Sequence, residues 1–170
     1  MSQIKNNTRQ QLTLFLDQTD TNAIEAIRKT YNPLQYQLIA SHITLCREDE
    51  IENLDFILEN LRGLKMPSFT LNLEPAKRFS DGKGVYIPVQ DEQGHFQKLR
   101  VEVLKDAVDE VRFHHPHLTI MHPRNSTCTN EIFEQIQNTG LPERITINKI
   151  SLIEQEIGAV WNILEEYELK

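Results

Sequence analysis

Two short stretches of this chain carry the same residue types in the same order. Ser41-His42-Ile43-Thr44-Leu45 and Pro116-His117-Leu118-Thr119-Ile120 each read histidine, aliphatic, threonine, aliphatic. Side chains alternate faces along a strand, so each histidine shares a face with the threonine two residues on. The aliphatic neighbours then point the other way, into a core. Histidine is the side chain whose ordinary pKa lies nearest neutrality. Two imidazoles on one surface can divide a reaction: one, neutral, takes a proton from water or a hydroxyl, and the other, charged, gives one to a departing oxygen. Attack and departure on opposite sides of a phosphorus atom suit that division. A hydroxyl beside each histidine can hydrogen-bond the non-bridging oxygens as their charge grows. The scheme needs no metal, and no cofactor is expected.

Other residues near these stretches compete for a role. His114-His115-Pro116-His117 offers three imidazoles, but no Asp, Glu or Cys accompanies them at ligand spacing, and Pro116 interrupts a regular strand. The expected reading is a polar helix-to-strand connection, with His115 on the face of His117 and His114 opposite. The polar segment 74–83 is the most loop-like stretch inside the chain. In or beside it, Arg78, Phe79, Lys83 and Tyr86 form a candidate substrate rim, since aromatics can stack on a nucleobase and cations can track a phosphate backbone. Arg124 is a further rim candidate. Trp161 alternates with Ile163 and is expected in the core.

Positioning the two motifs requires a particular order of elements. Apolar periodicity and breaker residues predict a strand at 11–17 and a helix at 20–31, entered by a capping box from Asn22 and Glu25. A strand at 36–45 carries the first motif. A helix at 49–62 and a strand at 68–73 follow. The pattern then restarts, with a strand at 84–89, a long helix at 95–113, a strand at 117–121 with the second motif, and a helix at 129–138. Two antiparallel strands, 145–154 and 159–169, turn at Ile157-Gly158. Both parts begin strand-helix-strand-helix-strand, and each motif falls on the second strand. His42 and His117 stand 75 residues apart in a chain of 170. This is a duplication in element order, with approximate halves 10–75 and 84–169 intertwined in one domain spanning 1–170.

Composition narrows the partners. With 25 acidic and 18 basic residues the formal charge is −7, which argues against coating long nucleic acid and against DNA, but permits a small phosphate ligand or an RNA end in a locally basic groove. No apolar run is long enough to span a membrane. Residues 1–7 lack the apolar centre of a secretory signal, so a cytoplasmic location is expected. Cys46 and Cys128 form no CxxC pair and read as two reduced, partly buried thiols. Nothing in the sequence calls for more than a monomer.

The tandem His-Ile-Thr-Leu and His-Leu-Thr-Ile pattern resembles the 2H phosphoesterase superfamily, which includes the bacterial 2′-5′ RNA ligase-like proteins. The resemblance covers nearly the whole chain. It implies an α+β, bilobal, pseudo-two-fold fold in which two antiparallel sheets line a central cleft with helices outside. It implies that His42 and His117 are the catalytic pair, with His42 as acid and His117 as base, and that Thr44 and Thr119 hold the phosphate. The implied activity is opening of a 2′,3′-cyclic phosphate on a nucleotide or RNA terminus. Reversible 2′-5′ RNA ligation, cyclic-phosphate opening on a small ADP-ribose-type metabolite, and non-catalytic binding of an RNA end or phosphate stay open as alternatives.

Overall fold

The computed structural model describes residues 7–170; the reading of the N-terminus as lacking a secretory signal rests mostly on Met1–Asn6 and lies outside the described residues. Among the described residues, nine strands and five helices alternate along the chain. They are β1 (Thr8–Phe15), α1 (Gln18–Tyr31), α2 (Pro33–Leu38), β2 (His42–Cys46), α3 (Leu54–Arg62), β3 (Phe69–Leu73), β4 (Lys77–Arg78), β5 (Val85–Gln90), α4 (His95–Leu104), β6 (His117–Met121), α5 (Asn130–Gln137), β7 (Arg144–Ile147), β8 (Lys149–Glu156) and β9 (Asn162–Glu168). The architecture is α+β and antiparallel. The strand path runs β7-β3-β5-β6-β2-β1-β8-β9, and the short β4 adds to β5.

The two motif strands sit together at the middle of that path. Ile43 of β2 pairs with Leu118 of β6. Carried one residue each way, this antiparallel register sets His42 opposite Thr119 and Thr44 opposite His117. The two strands share one burial pattern, with Ile43, Leu45, Leu118 and Ile120 fully buried and the histidines and threonines on the other, partly open face. Helix residues such as Ile24, Ile57, Phe96, Leu99 and Ile136 close the apolar side, in one continuous core.

The duplication extends to details of pairing. β1 pairs with β2, and β5 with β6, and in both cases the register slips once, between Leu12 and Thr13 and between Val85 and Tyr86. These bulges fall at equivalent places, so Leu12 corresponds to Val85 and Thr13 to Tyr86. The third strand of each half crosses over. β3 pairs with β5 and β7, whereas β8 packs against β1. Each half of the sheet is thus built from both halves of the sequence.

Several predicted elements differ from those observed. The 36–45 strand is shorter, because residues 33–38 form α2, with Pro33 in its first turn. Proline there both stops α1 and starts a new helix, since its missing N–H costs nothing in a first turn. The 49–62 helix begins only at Leu54. Before it, Glu48–Glu50 make a 3-10 turn in which the Glu50 carboxylate turns inward to the Arg47 N–H (2.9 Å) and to buried Arg100 (2.6 Å). The 95–113 helix stops at Leu104. The Asn60 side chain donates to the carbonyls of Val103 (2.9 Å) and Lys105 (2.8 Å), capping the helix end, and Asp106 adopts a left-handed φ of 60°. α1 starts at Gln18, so Asn22 lies inside the helix and makes no capping box. The 145–154 strand divides at Asn148 into β7 and β8, which pair with different neighbours. Among the described residues, no helix is long and apolar enough to cross a membrane.

Candidate active site

Both motif imidazoles are held by the same contact. His42 Nδ1 lies 2.8 Å from the carbonyl of Ala40, and His117 Nδ1 lies 3.2 Å from the carbonyl of His115. A carbonyl can only accept, so in each ring Nδ1 carries a proton and Nε2 keeps the lone pair when the ring is neutral. Both rings are therefore oriented by backbone that immediately precedes the motif.

His42, Thr44, His117 and Thr119 line one cavity of about 200 Å³. Four arginines line it as well: Arg9 from β1, Arg28 from α1, Arg47 just after β2, and Arg124 after β6. His114 and His122 add two more imidazoles. Among the described residues, no Asp or Glu lines it, although the chain as a whole carries −7. Cations focused in a concave site attract an anion even when the molecule is acidic overall.

Burial sets the protonation of the imidazoles. It pushes His42 down to about 4; the Ala40 carbonyl pulls the other way, and Arg28 and His117 push further down. Burial likewise lowers His114 to about 4, helped by Arg100 and Arg47. His117 is lowered by burial against the upward pull of the His115 carbonyl, with Arg47 adding to the fall. All three are neutral at pH 7 without an anion beside them.

The predicted rim residues separate into three groups. Phe79 and Tyr86 pack together at 4.6 Å between ring centroids, and both stand edge-on to His117, at 6.2 and 5.8 Å. Gly84 makes room for this, since a Cβ there would lie 2.6 Å from Phe79 and from Pro123. Arg124 reaches the cavity. Arg78 and Lys83 do not line it. Arg78 spends its guanidinium on Asn130 (2.9 Å) and the Cys128 carbonyl (3.1 Å), above the Phe133 ring, and so fastens α5. Lys83 is exposed on the turn, where its carbonyl accepts from the Cys128 N–H.

Sequence reasoning missed nine lining residues, among them Arg9, Arg28, Arg47, His114, His122 and Trp161. Alternation would set His114 on the opposite face to His117, but residues 112–116 are not a strand, so alternation does not apply. Its ring stands 6.2 Å from that of His117, and its Nε2 is buried without a protein partner. Trp161 is half-buried at the cavity wall rather than in the core, with the Arg9 guanidinium 4.9 Å above its ring. One signal was present: Arg47 and His122 each follow their motif histidine by five residues.

Other features carry less chemistry. Among the described residues, no three of His, Cys, Asp and Glu are grouped so that they could hold a metal ion. Cys46 and Cys128 are both buried and unpaired with each other, and burial pushes the Cys46 thiol up to about 12. A larger groove of about 1090 Å³ lies between β3, β7 and the end of α5, away from both motifs.

The chain is similar in sequence and fold to known proteins. The family model described as the 2′-5′ RNA ligase superfamily matches residues 16–159. A protein of Staphylococcus aureus strain JH1 with phosphoesterase in its name is 25% identical over 167 residues, which cover 93% of this chain and 97% of that one. The crystal structure of Escherichia coli LigT complexed with 3′-AMP superposes with a TM-score of 0.69 at 17% identity, covering 96% of this chain and 98% of that one. TT0787 of Thermus thermophilus superposes with a TM-score of 0.59 at 15% identity, over 95% and 97% of the two chains.

Proposed function

The chain belongs to the 2′-5′ RNA ligase superfamily, and from that premise we propose that it opens the 2′,3′-cyclic phosphate of a nucleotide or RNA terminus by two-histidine acid–base catalysis. The observation that carries this reading is the pair of carbonyl-anchored imidazoles in one arginine-lined cavity, with no carboxylate among its described lining residues. The arginines neutralise the phosphate, and the Thr44 and Thr119 hydroxyls donate to its non-bridging oxygens. His117, neutral, takes a proton from water on Nε2 as the water attacks phosphorus. His42, protonated, gives its Nε2 proton to the departing ribose oxygen, and the product is a phosphate monoester.

His42 takes its proton from solvent, and the substrate anion stabilises it there. Burial makes an imidazolium there costly, and a phosphate anion beside it favours the charged form. A histidine lowered to about 4 holds its proton weakly once loaded, which suits a donor. Both proton transfers are carried by side chains of the chain itself, so the reaction does not call on a metal.

Turnover of adenosine 2′,3′-cyclic phosphate, followed by chromatography of the product, tests the proposal directly. The expected product is a single 2′- or 3′-monophosphate, formed at the same rate with and without EDTA. No turnover of any 2′,3′-cyclic nucleotide, with the cavity still binding phosphate, would leave only a binding module.

A further inference from the structure

The arginines and remaining histidines of the cavity fall into two sets. Arg28, Arg47 and His114 surround the motif histidines, where they act on His42 or His117 or pack against them. Arg9, Arg124 and His122 form a second set and act on one another: Arg124 lowers Arg9, and both lower His122, in each case beside the larger effect of burial. The second set has little negative charge to offset it. Of the groups that act on Arg9 and His122, the one carboxylate is exposed Glu48, on Arg9.

This second set is held in place by its own framework. Buried Asn32 accepts the His122 N–H (2.7 Å) and donates to the Asn125 side chain (2.9 Å), which in turn donates to Gln35 (3.0 Å). The Ser126 hydroxyl donates to the His122 carbonyl (2.6 Å). Arg9 is fixed by Gln155 (2.8 Å) and by the Trp161 ring. The His122 ring is oriented as well. Its Nδ1 accepts the Arg124 N–H (3.1 Å), so its proton sits on Nε2 and the ring is a donor, unlike the two motif histidines. The Arg9 and Arg124 charges repel one another in a partly dry site beside the neutral donor His122, and a bridging anion removes that cost.

We infer that Arg9, Arg124 and His122 form a second phosphate subsite, which takes a second phosphate group of a nucleotide whose first phosphate lies between His42 and His117. The inference rests on the phosphate reading of the motif pair. It narrows the substrate from any cyclic phosphate to nucleotides carrying two phosphates, with the second as a 5′-monoester or as the diester of a preceding nucleotide.

Calorimetric binding tests this without turnover. Adenosine 3′-monophosphate, adenosine 3′,5′-bisphosphate and the dinucleotide ApAp are titrated into the wild type, Arg124→Gln and Arg47→Gln. The second phosphate should tighten wild-type binding about tenfold or more, through charge-assisted hydrogen bonds. Arg124→Gln should bring the ratio near one, whereas Arg47→Gln, in the first set, should weaken all ligands and keep the ratio. Gain by ApAp as well as the bisphosphate assigns the subsite to an RNA backbone, and gain by the bisphosphate alone assigns it to a terminal phosphate. A wild-type ratio near one, or equal weakening of every ligand by Arg124→Gln, overturns the subsite. Tight binding of the bisphosphate by a protein that turns over no cyclic phosphate would instead bring down the proposed activity and leave the subsite standing.

Discussion

The two lobes share a backbone and differ in what they place around it. Each has a motif strand with the same burial pattern, a neighbour strand with a bulge at the same place, and a histidine anchored through Nδ1 to the carbonyl two residues before it. Each also has a buried helix arginine that holds the segment entering the motif strand. Arg28 donates to the Ile39 carbonyl (2.8 Å) and Arg100 to the Arg112 carbonyl (3.0 Å). The partners then diverge. Arg28 pairs with Glu25, whose side chain is 23% exposed, and lines the cavity of the motif histidines; Arg100 pairs with Glu50, which is 6% exposed, and lies outside it. Where the first lobe has Gln11 lining the cavity, the second has Gly84, which admits Phe79 beside His117. Five residues beyond the motif histidine, one lobe has Arg47 and the other His122. A symmetric frame orients two equivalent imidazoles, and their surroundings are unequal.

The sharpest test of the equivalence is removal of each histidine. His42→Ala and His117→Ala should each lower kcat by about 10²–10⁴ on a 2′,3′-cyclic nucleotide, with circular dichroism unchanged. The double variant should be little worse than either single one, because the pair acts as a unit. Substantial activity in one single variant would show that the lobes do not share the proton transfers.

The two arginine clamps should separate on stability. Glu50→Ala leaves the Arg100 charge buried without a carboxylate and should cost about 3–5 kcal/mol in urea unfolding. Glu25→Ala opens a better solvated pair and should cost about 1 kcal/mol. Equal losses would mean that the clamps are energetically alike despite their different burial.

Thr44→Val and Thr119→Val compare the hydroxyls. Each should lower kcat by about 10²-fold if both donate to the phosphate in the transition state. Loss in one variant alone would sharpen the comparison by assigning the growing charge to one side.

The comparison also predicts a dependence of stability on pH. His42 is lowered to about 4 in the folded chain against 6.5 unfolded, so between those values the unfolded chain binds more protons. Stability should therefore be full above about pH 6.5 and decline as pH falls toward 4. His42→Gln should flatten that decline more than His117→Gln, and the reverse order would contradict the deeper desolvation of His42.

Much of the frame is legible from residue order. Alternation in His42–Leu45 and His117–Ile120 specifies two half-buried strands with their polar residues on one face, because a strand's period of two leaves no other arrangement. The 75-residue interval marks the duplication. Apolar runs were less decisive where length was ambiguous: Tyr36-Gln37-Leu38-Ile39 reads equally as strand or helix, and Pro33 tips it to helix. The end of α4 was illegible for a different reason. Its stop is Asn60, a residue 43 positions away from the Val103 carbonyl that it caps.

The sequence by itself determined the repeated histidine pair, the face that each histidine shares with a threonine, and the order of elements that brings the two copies to equivalent places. These follow from local periodicity and from a motif that recurs. Only the tertiary structure decided the site's charge and its asymmetry. Arg9, Arg28, Arg124, His122 and Trp161 lie far apart along an acidic chain, and they meet because β1 joins β2 to β8, and β8 carries β9 and Trp161 back toward the cavity. Strand pairing across long sequence separations creates that cationic cavity, and no window of residues contains it.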